Sequence, residues 1–306
     1  MQKTVIVIAG PTASGKTALS VQMAQLFNTA VISADSRQCY REISIGTAKP
    51  SAEELAAVPH YFINSHSIRE EVNAGIYEKL ALGYTNHIFQ NNNIAIMCGG
   101  TGLYIRAFAD GIDDMPDIPA GIRTQLNEQY ALHGLAWLQQ QLQERDPGFY
   151  ATAETQNPMR LIRALEVLEA TGQSITTFRS ATRAQRNFRI IKIGITPPKE
   201  ILHQRIHQRV DQMIHAGLVE EVREVLPYRE HNALRTVGYQ EIFSFLDGHI
   251  SLDQAIEEVK IHTRQYAKRQ LTWFRKDPAF QWFDSRDPAP ILEYVQQQLS
   301  AASAHG

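Results

Sequence analysis

Eight residues near the start of the chain, Gly10-Pro11-Thr12-Ala13-Ser14-Gly15-Lys16-Thr17, fit the spacing G-x-x-x-x-G-K-[ST] in full. The glycines let the backbone wrap a phosphate with several N–H groups pointing inward, and a following helix adds its positive dipole end. Lys16 supplies a mobile charge for a terminal phosphate, and the Thr17 hydroxyl can ligate Mg²⁺. The spacing has chemical meaning only between a strand and a helix, and the apolar run Thr4–Ala9 and the amphipathic stretch Lys16–Phe27 provide both. Such a loop specifies a diphosphate group without specifying a reaction.

A second candidate, Asp35, ends another apolar run, Ala30–Ala34. In an open α/β sheet that position shares the ligand-binding edge with the phosphate loop. A carboxylate there can accept a proton from a nucleophile facing the phosphates; a cap or a structural hydrogen bond is the alternative. A hydrolysing ATPase would also place an acid at the end of a neighbouring strand. The run Asn93–Met97 instead leads into Cys98-Gly99-Gly100-Thr101-Gly102, and no Asn-Lys-x-Asp guanine reader occurs. Those absences leave transferases: kinases, or enzymes that use diphosphate as a leaving group. Further along, Arg205 and Arg209 lie one helical turn apart, as arginines do in a lid that closes over phosphates. His203 and His207 have the spacing of a zinc pair, but no Glu follows the first, so they read as a plain helix face.

These residues need a scaffold. Thr4–Ala9, Ala30–Ala34, Asn93–Met97 and Arg189–Ile195 are short apolar runs typical of buried parallel strands, and helical stretches alternate with them. The pattern predicts an α/β fold with a doubly wound parallel sheet. Roughly ninety residues separate the third and fourth runs, far more than one crossover helix requires. Within the gap, Ile122–Glu144 and Met159–Thr171 have helical periodicity, so 113–188 is read as a mainly helical insertion between 1–112 and 189–306. After Pro197 the chain reads as helical almost to its end, broken near Pro227 and Asp277-Pro278, with a loose Ala/Ser tail at 300–306.

Composition sets the remaining bounds. The 306 residues are 43% apolar and 20% charged, ordinary for a globular protein. No run approaches the ~20 apolar residues of a membrane span. Two cysteines, Cys39 and Cys98, form neither a disulfide framework nor a metal spacing, and a reduced cytoplasmic setting is expected. The net charge of -2 conceals ten Lys or Arg against three Glu between Arg160 and Arg209, and six basic residues with no acid between Lys260 and Lys276. Solvated helix faces and a polyanion-binding surface both explain that bias.

A series of ordered words narrows the choice: Asp35-Ser36-Arg37-Gln38-Cys39-Tyr40, Ile45-Gly46-Thr47-Ala48-Lys49-Pro50, Val58-Pro59-His60-Tyr61, Gly99-Gly100-Thr101-Gly102-Leu103-Tyr104, Arg160-Leu161-Ile162-Arg163-Ala164-Leu165-Glu166, Thr236-Val237-Gly238-Tyr239 and Thr263-Arg264-Gln265-Tyr266-Ala267-Lys268-Arg269-Gln270. Taken together they resemble the tRNA dimethylallyltransferase family along nearly the whole chain, departing from it slightly at Cys39 and Met159. The resemblance implies a P-loop NTPase-like core, nucleotide (ATP) binding at the loop, and Mg²⁺. It also implies transfer of a dimethylallyl group from dimethylallyl diphosphate to N6 of adenosine 37 in tRNAs reading UNN codons.

By the same resemblance, Asp35, Thr101 and Arg209 would be catalytic, and Gly10, Pro11, Thr12, Ala13, Ser14, Gly15, Lys16 and Thr17 would bind the diphosphate. The tRNA would meet Asp35, Ser36, Arg37, Gln38, Thr101, Arg123, Met159, Arg160, Leu161, Ile162 and Arg163, with the insertion clamping the anticodon stem-loop. Lys268, Arg269, Arg264 and Trp273 lie on a basic helix suited to phosphate contacts, although an aromatic such as Trp273 or Phe274 is more often core than a stacking platform. A monomer is expected. A small-molecule kinase, a non-catalytic RNA-binding protein and a transferase acting on free AMP or ADP are the rival readings. The insertion and its arginines count against the first and third, and the intact Lys16, Thr17 and Asp35 against the second.

Overall fold

The computed structural model describes residues 2–179 and 183–303; Met1, residues 180–182 of the expected insertion and residues 304–306 of the expected tail lie outside them. The chain forms two compact units, residues 1–110 with 185–306, and residues 111–184.

The first unit begins with β1 (Thr4–Ala9), α1 (Lys16–Leu26), β2 (Val31–Ser33), α2 (Ala52–Ala57), β3 (His60–Tyr61), α3 (Ala74–Ile88), β4 (Ile94–Gly99) and α4 (Gly102–Asp110). The second unit contains α5 (Ala120–Arg145), α6 (Pro147–Thr152) and α7 (Pro158–Thr171). The first then resumes with β5 (Arg189–Thr196), α8 (Lys199–His215), α9 (Leu218–Val225), α10 (Tyr239–Leu246), α11 (Leu252–Phe274), β6 (Phe280–Asp284) and α12 (Ala289–Ser303).

The strands form one parallel sheet in the order β3-β2-β4-β1-β5-β6. Alternation along β1 divides its side chains between two cores. Val5, Val7 and Ala9 join the apolar cluster that includes Tyr77 of α3, Phe108 of α4 and Phe243 of α10. Ile6 and Ile8 join the opposite cluster, with Leu19 and Met23 of α1 and Ile291 and Val295 of α12. Burial on both faces explains why β1 reads as an unbroken apolar run. Register then aligns the strand ends, with Ala9 opposite Gly99 on one side and Gly194 on the other.

Two strands depart from the expectation. β3 is only two residues long, and β6 falls where the chain was read as helical. Phe280–Asp284 nevertheless pairs with β5 along Lys192–Thr196, so its place is fixed by the neighbouring strand rather than by local periodicity. The tail also differs: α12 runs through Ser303, anchored by Ile291, Val295 and Leu299.

In the second unit, Leu138 and Leu142 of α5, Phe149 of α6 and Leu161, Ile162 and Leu165 of α7 form a separate core. Gly134 takes φ 70 and ψ -167 and breaks α5 into two segments. Helix α7 is closed at both ends: Asn157 accepts from the Arg160 amide, and Gly172 leaves at φ 71.

Candidate active site

The phosphate loop bridges the end of β1 and the first turn of α1. Its path requires glycine at two points. A Cβ on Gly10 would lie 2.2 Å from the Ile195 carbonyl oxygen, and Gly15 sits at φ 93. Ala13 also takes a positive φ of 62, a strained conformation held by the loop around it. Ser14 is fully buried, and its hydroxyl has no protein partner. Lys16 Nζ donates to the Pro11 carbonyl at 2.6 Å, so its charge lies over its own loop. Burial holds the Lys16 pKa down to about 8.

Asp35 follows β2 on the same edge. Its Oδ1 accepts from the Arg37 amide at 2.9 Å and the Gln38 amide at 3.3 Å, a turn that leaves Oδ2 uncommitted. The residues after β4 hold this turn in place. The Thr101 amide donates to Ala34 at 3.1 Å, and its Oγ1 accepts from the Ser36 amide at 3.0 Å and donates to Ser36 Oγ at 3.3 Å. A Cβ on Gly99 would lie 2.2 Å from the Ala34 carbonyl oxygen, so only glycine permits this approach. Thr101 is therefore the residue that orients the Asp35 turn. Gln38, expected to read a base edge, uses its side-chain amide elsewhere: Nε2 donates to Thr47 and Ala48.

From α8, Arg209 Nη1 donates to Thr12 Oγ1 at 3.3 Å, and burial lowers its pKa. The Arg205 guanidinium lies 3.9 Å from the Cβ position of Gly15, so both lid candidates reach the phosphate loop. His207 bonds Arg264, and among the described residues no three His, Cys, Asp or Glu side chains group as a metal site.

Two residues to which the sequence reading gave no role complete the frame. Gln270 of α11, buried, accepts from the Thr12 amide at 2.8 Å and donates to the Gly100 carbonyl at 2.9 Å, tying the phosphate loop to the turn after β4. Glu221 of α9 accepts from the amides of Ser44, Ile45 and Gly46 at 2.7, 2.8 and 2.9 Å and from the Tyr239 hydroxyl at 2.6 Å, fixing the loop before Thr47. Gln270→Ala leaves a buried amide and carbonyl unpaired, a loss of about 1–3 kcal/mol. The expected result is a lower melting temperature and a roughly tenfold weaker affinity for inorganic diphosphate by calorimetry. An unchanged affinity would show that the bridge does not shape the loop.

The phosphate loop, Asp35, Arg37, Lys49, Arg209, Thr236 and Gln270 line a single cleft of about 390 Å³. Another cleft of about 500 Å³ lies against Gly15, Leu19, Arg205 and Pro288, with no acidic residue on its wall. Of the two, only the smaller places a carboxylate beside the phosphate loop.

In the second unit, Arg123 Nε and Arg163 Nη1 each lie 3.1 Å from the buried Glu166 carboxylate. Arg160 pairs with Glu154 at the surface, and Met159 is exposed. The side chains of Leu161 and Ile162 are buried in this unit's core. Helical spacing puts them on the inner face of α7, so in that word they serve packing. The basic bias between Arg160 and Arg209 is likewise partly internal, since Arg186 pairs with Glu78 at 2.6 Å and Lys192 with Asp277 at 2.7 Å. Replacing Arg123 and Arg163 together with Ala strands a buried carboxylate. A loss of ~3 kcal/mol in urea unfolding is expected, at the low end for a broken buried pair because solvent reaches both guanidinium groups. Adding Glu166→Leu should recover most of it; failure to do so would mean that the arginines do not serve the fold.

A phosphate loop and a carboxylate facing one cleft, on the edge of a parallel sheet, define a P-loop group-transfer enzyme. The chain belongs to the IPP transferase family, whose model matches residues 38–277. It is 46% identical over 301 residues to the tRNA dimethylallyltransferase of Christiangramia forsetii, covering 98% of this chain and 100% of the relative. The tRNA dimethylallyltransferase of Cytophaga hutchinsonii is 44% identical over 299 residues, with 98% of each chain covered. Among solved structures, the full-length tRNA isopentenylpyrophosphate transferase of Bacillus halodurans aligns with a TM-score of 0.73 at 33% identity, covering 99% of both chains. A eukaryotic dimethylallyltransferase captured acting on tRNA aligns with a TM-score of 0.77 at 27% identity, covering 99% of this chain and 79% of its own.

Proposed function

We propose that this chain transfers a dimethylallyl group from dimethylallyl diphosphate to N6 of adenosine 37 in tRNAs reading UNN codons, releasing diphosphate. The supporting observation is the single cleft in which the phosphate loop and Asp35 both stand. An adenine amine is a poor nucleophile because its lone pair is delocalised into the ring. The reaction therefore needs a stabilised leaving group and a base for the N6 proton.

Gly10, Pro11, Thr12, Ala13, Ser14 and Gly15 supply the backbone cradle, Lys16 the cation, and Arg209 the clamp, with Arg205 beside it. The allylic C–O bond breaks as diphosphate takes up charge, N6 bonds the allylic carbon, and the N6 proton passes to Asp35. Thr101 acts by positioning, since its hydroxyl holds the turn that aims Asp35. Mg²⁺ suits the Thr17 hydroxyl at the mouth of the cradle. When bound, the ion would add charge stabilisation at the leaving diphosphate. The adenine reaches the cleft by leaving its stack. Ser36, Arg37, Arg123, Met159, Arg160 and Arg163 are the RNA contacts in this reading, with the second unit gripping the anticodon stem-loop and the enzyme working as a cytoplasmic monomer.

The test is incubation with unmodified tRNA and dimethylallyl diphosphate, with ATP in a parallel reaction, followed by mass analysis of nucleosides. A mass gain of one prenyl group on adenosine supports the reading. Phosphorylation of a small alcohol from ATP, with the RNA unchanged, would replace it with a kinase.

A further inference from the structure

Of the two sequence readings of Trp273, core or stacking platform, the core one does not hold. Trp273 is 42% exposed and belongs to none of the apolar clusters, whereas its neighbour Phe274 is 2% exposed inside the main one. Its position is nevertheless specific. A Cβ on Gly102 would lie 2.1 Å from the indole Cδ1 and 2.2 Å from Nε1, so the pyrrole edge rests directly on the Gly102 backbone. Gly102 follows Thr101, the residue whose hydroxyl holds the Asp35 turn. Glycine is thus required to admit an aromatic ring immediately beside the turn that shapes the cleft. Leu103, next in the chain, is 48% exposed. In the sequence, Lys268, Arg269 and Lys276 flank Trp273, within a segment, Lys260–Lys276, that contains no acid.

An open indole on a basic helix suits a nucleobase carried on a phosphate backbone. Extruding an adenine also creates the need for such a surface, because the base beside it loses a stacking partner. We propose that Trp273 is the stacking platform for an RNA base flanking the extruded adenine. The inference rests on the function proposed above and adds a positioning residue to it. The ring replaces the lost stack and holds the RNA open, while the flanking lysines and arginine take the phosphates.

The experiment uses the full-length enzyme and an unmodified anticodon stem-loop RNA oligonucleotide. Trp273→Ala is expected to lower kcat/KM for the RNA by about tenfold or more, as loss of one base–aromatic stack does. Trp273→Phe should restore most of that, and the KM for dimethylallyl diphosphate should stay within about twofold in both. The chain has three tryptophans, so the RNA-induced quenching of intrinsic fluorescence should shrink markedly in Trp273→Phe. A Trp273→Ala enzyme with RNA kcat/KM within twofold of the parent, or undiminished quenching in Trp273→Phe, would overturn the stacking role while leaving the transferase reading intact. A parent enzyme that prenylates no RNA would overturn both.

Discussion

Replacing Asp35 with Asn is expected to lower turnover by about two to four orders of magnitude, the range a positioned general base contributes. RNA affinity should change by no more than about threefold. The substitution is informative because of how Asp35 is held. Its Oδ1 accepts from the Arg37 and Gln38 amides, and an asparagine oxygen can accept from the same two groups. The turn, the Thr101 contacts to Ser36 and the cleft should therefore survive, and only the proton-accepting oxygen is lost. Asp35→Ala removes the turn as well and should cost more, with some loss of thermal stability. Single-turnover assays with saturating RNA and donor separate chemistry from binding. An Asn variant that turns over within about fivefold of the parent would leave Asp35 as a structural turn residue, and the base would have to be sought elsewhere in the cleft.

The features legible in the sequence were those set by local chemistry. The phosphate loop is a contiguous segment whose glycines answer a steric demand, the Ile195 carbonyl 2.2 Å from a Cβ on Gly10, so its spacing and flanking elements expose it. Strands β1, β4 and β5 are buried on both faces and appear as apolar runs; β3 and β6 exist because a neighbour pairs with them, and no local period announces that. The insertion could be read because strand spacing is constrained by crossover geometry. Gln270 closes one of the quoted words but no role could be read for it there, and Glu221 lies in none of them. The bond from Thr12 to Gln270 spans 258 residues, and that from Ser44 to Glu221 spans 177. A glutamine in a basic helix and a glutamate on an amphipathic one are unremarkable until the fold brings those loops to them. For Leu161 and Trp273 the sequence left burial unsettled, for one reason. A word in a motif does not say which of its residues face solvent, and helix phase decides: Leu161 falls inward on α7, while Trp273 falls outward at the end of α11.

Lys16→Met should reduce kcat/KM for dimethylallyl diphosphate by about two to three orders of magnitude, the usual cost of removing one donor aimed at developing negative charge. Its pH dependence gives a second and sharper test. Burial pulls the Lys16 pKa down to about 8, and the Arg209 guanidinium pulls in the same direction, while Asp35 opposes both. Below that pH the free enzyme carries an ammonium ready for the diphosphate; above it the amine is neutral and must take up a proton to bind. A bound anion favours the protonated form, so the pKa in the complex lies higher than in the free enzyme. Consequently kcat/KM, which reports the free enzyme, should fall by about tenfold per unit once pH exceeds about 8, while kcat holds to higher pH. The Met variant lacks the titrating group and should be flat across the same window, low throughout. If the decline above pH 8 persisted in Lys16→Met, the proton would belong to another group, and the lysine could not be the cation that the departing diphosphate meets.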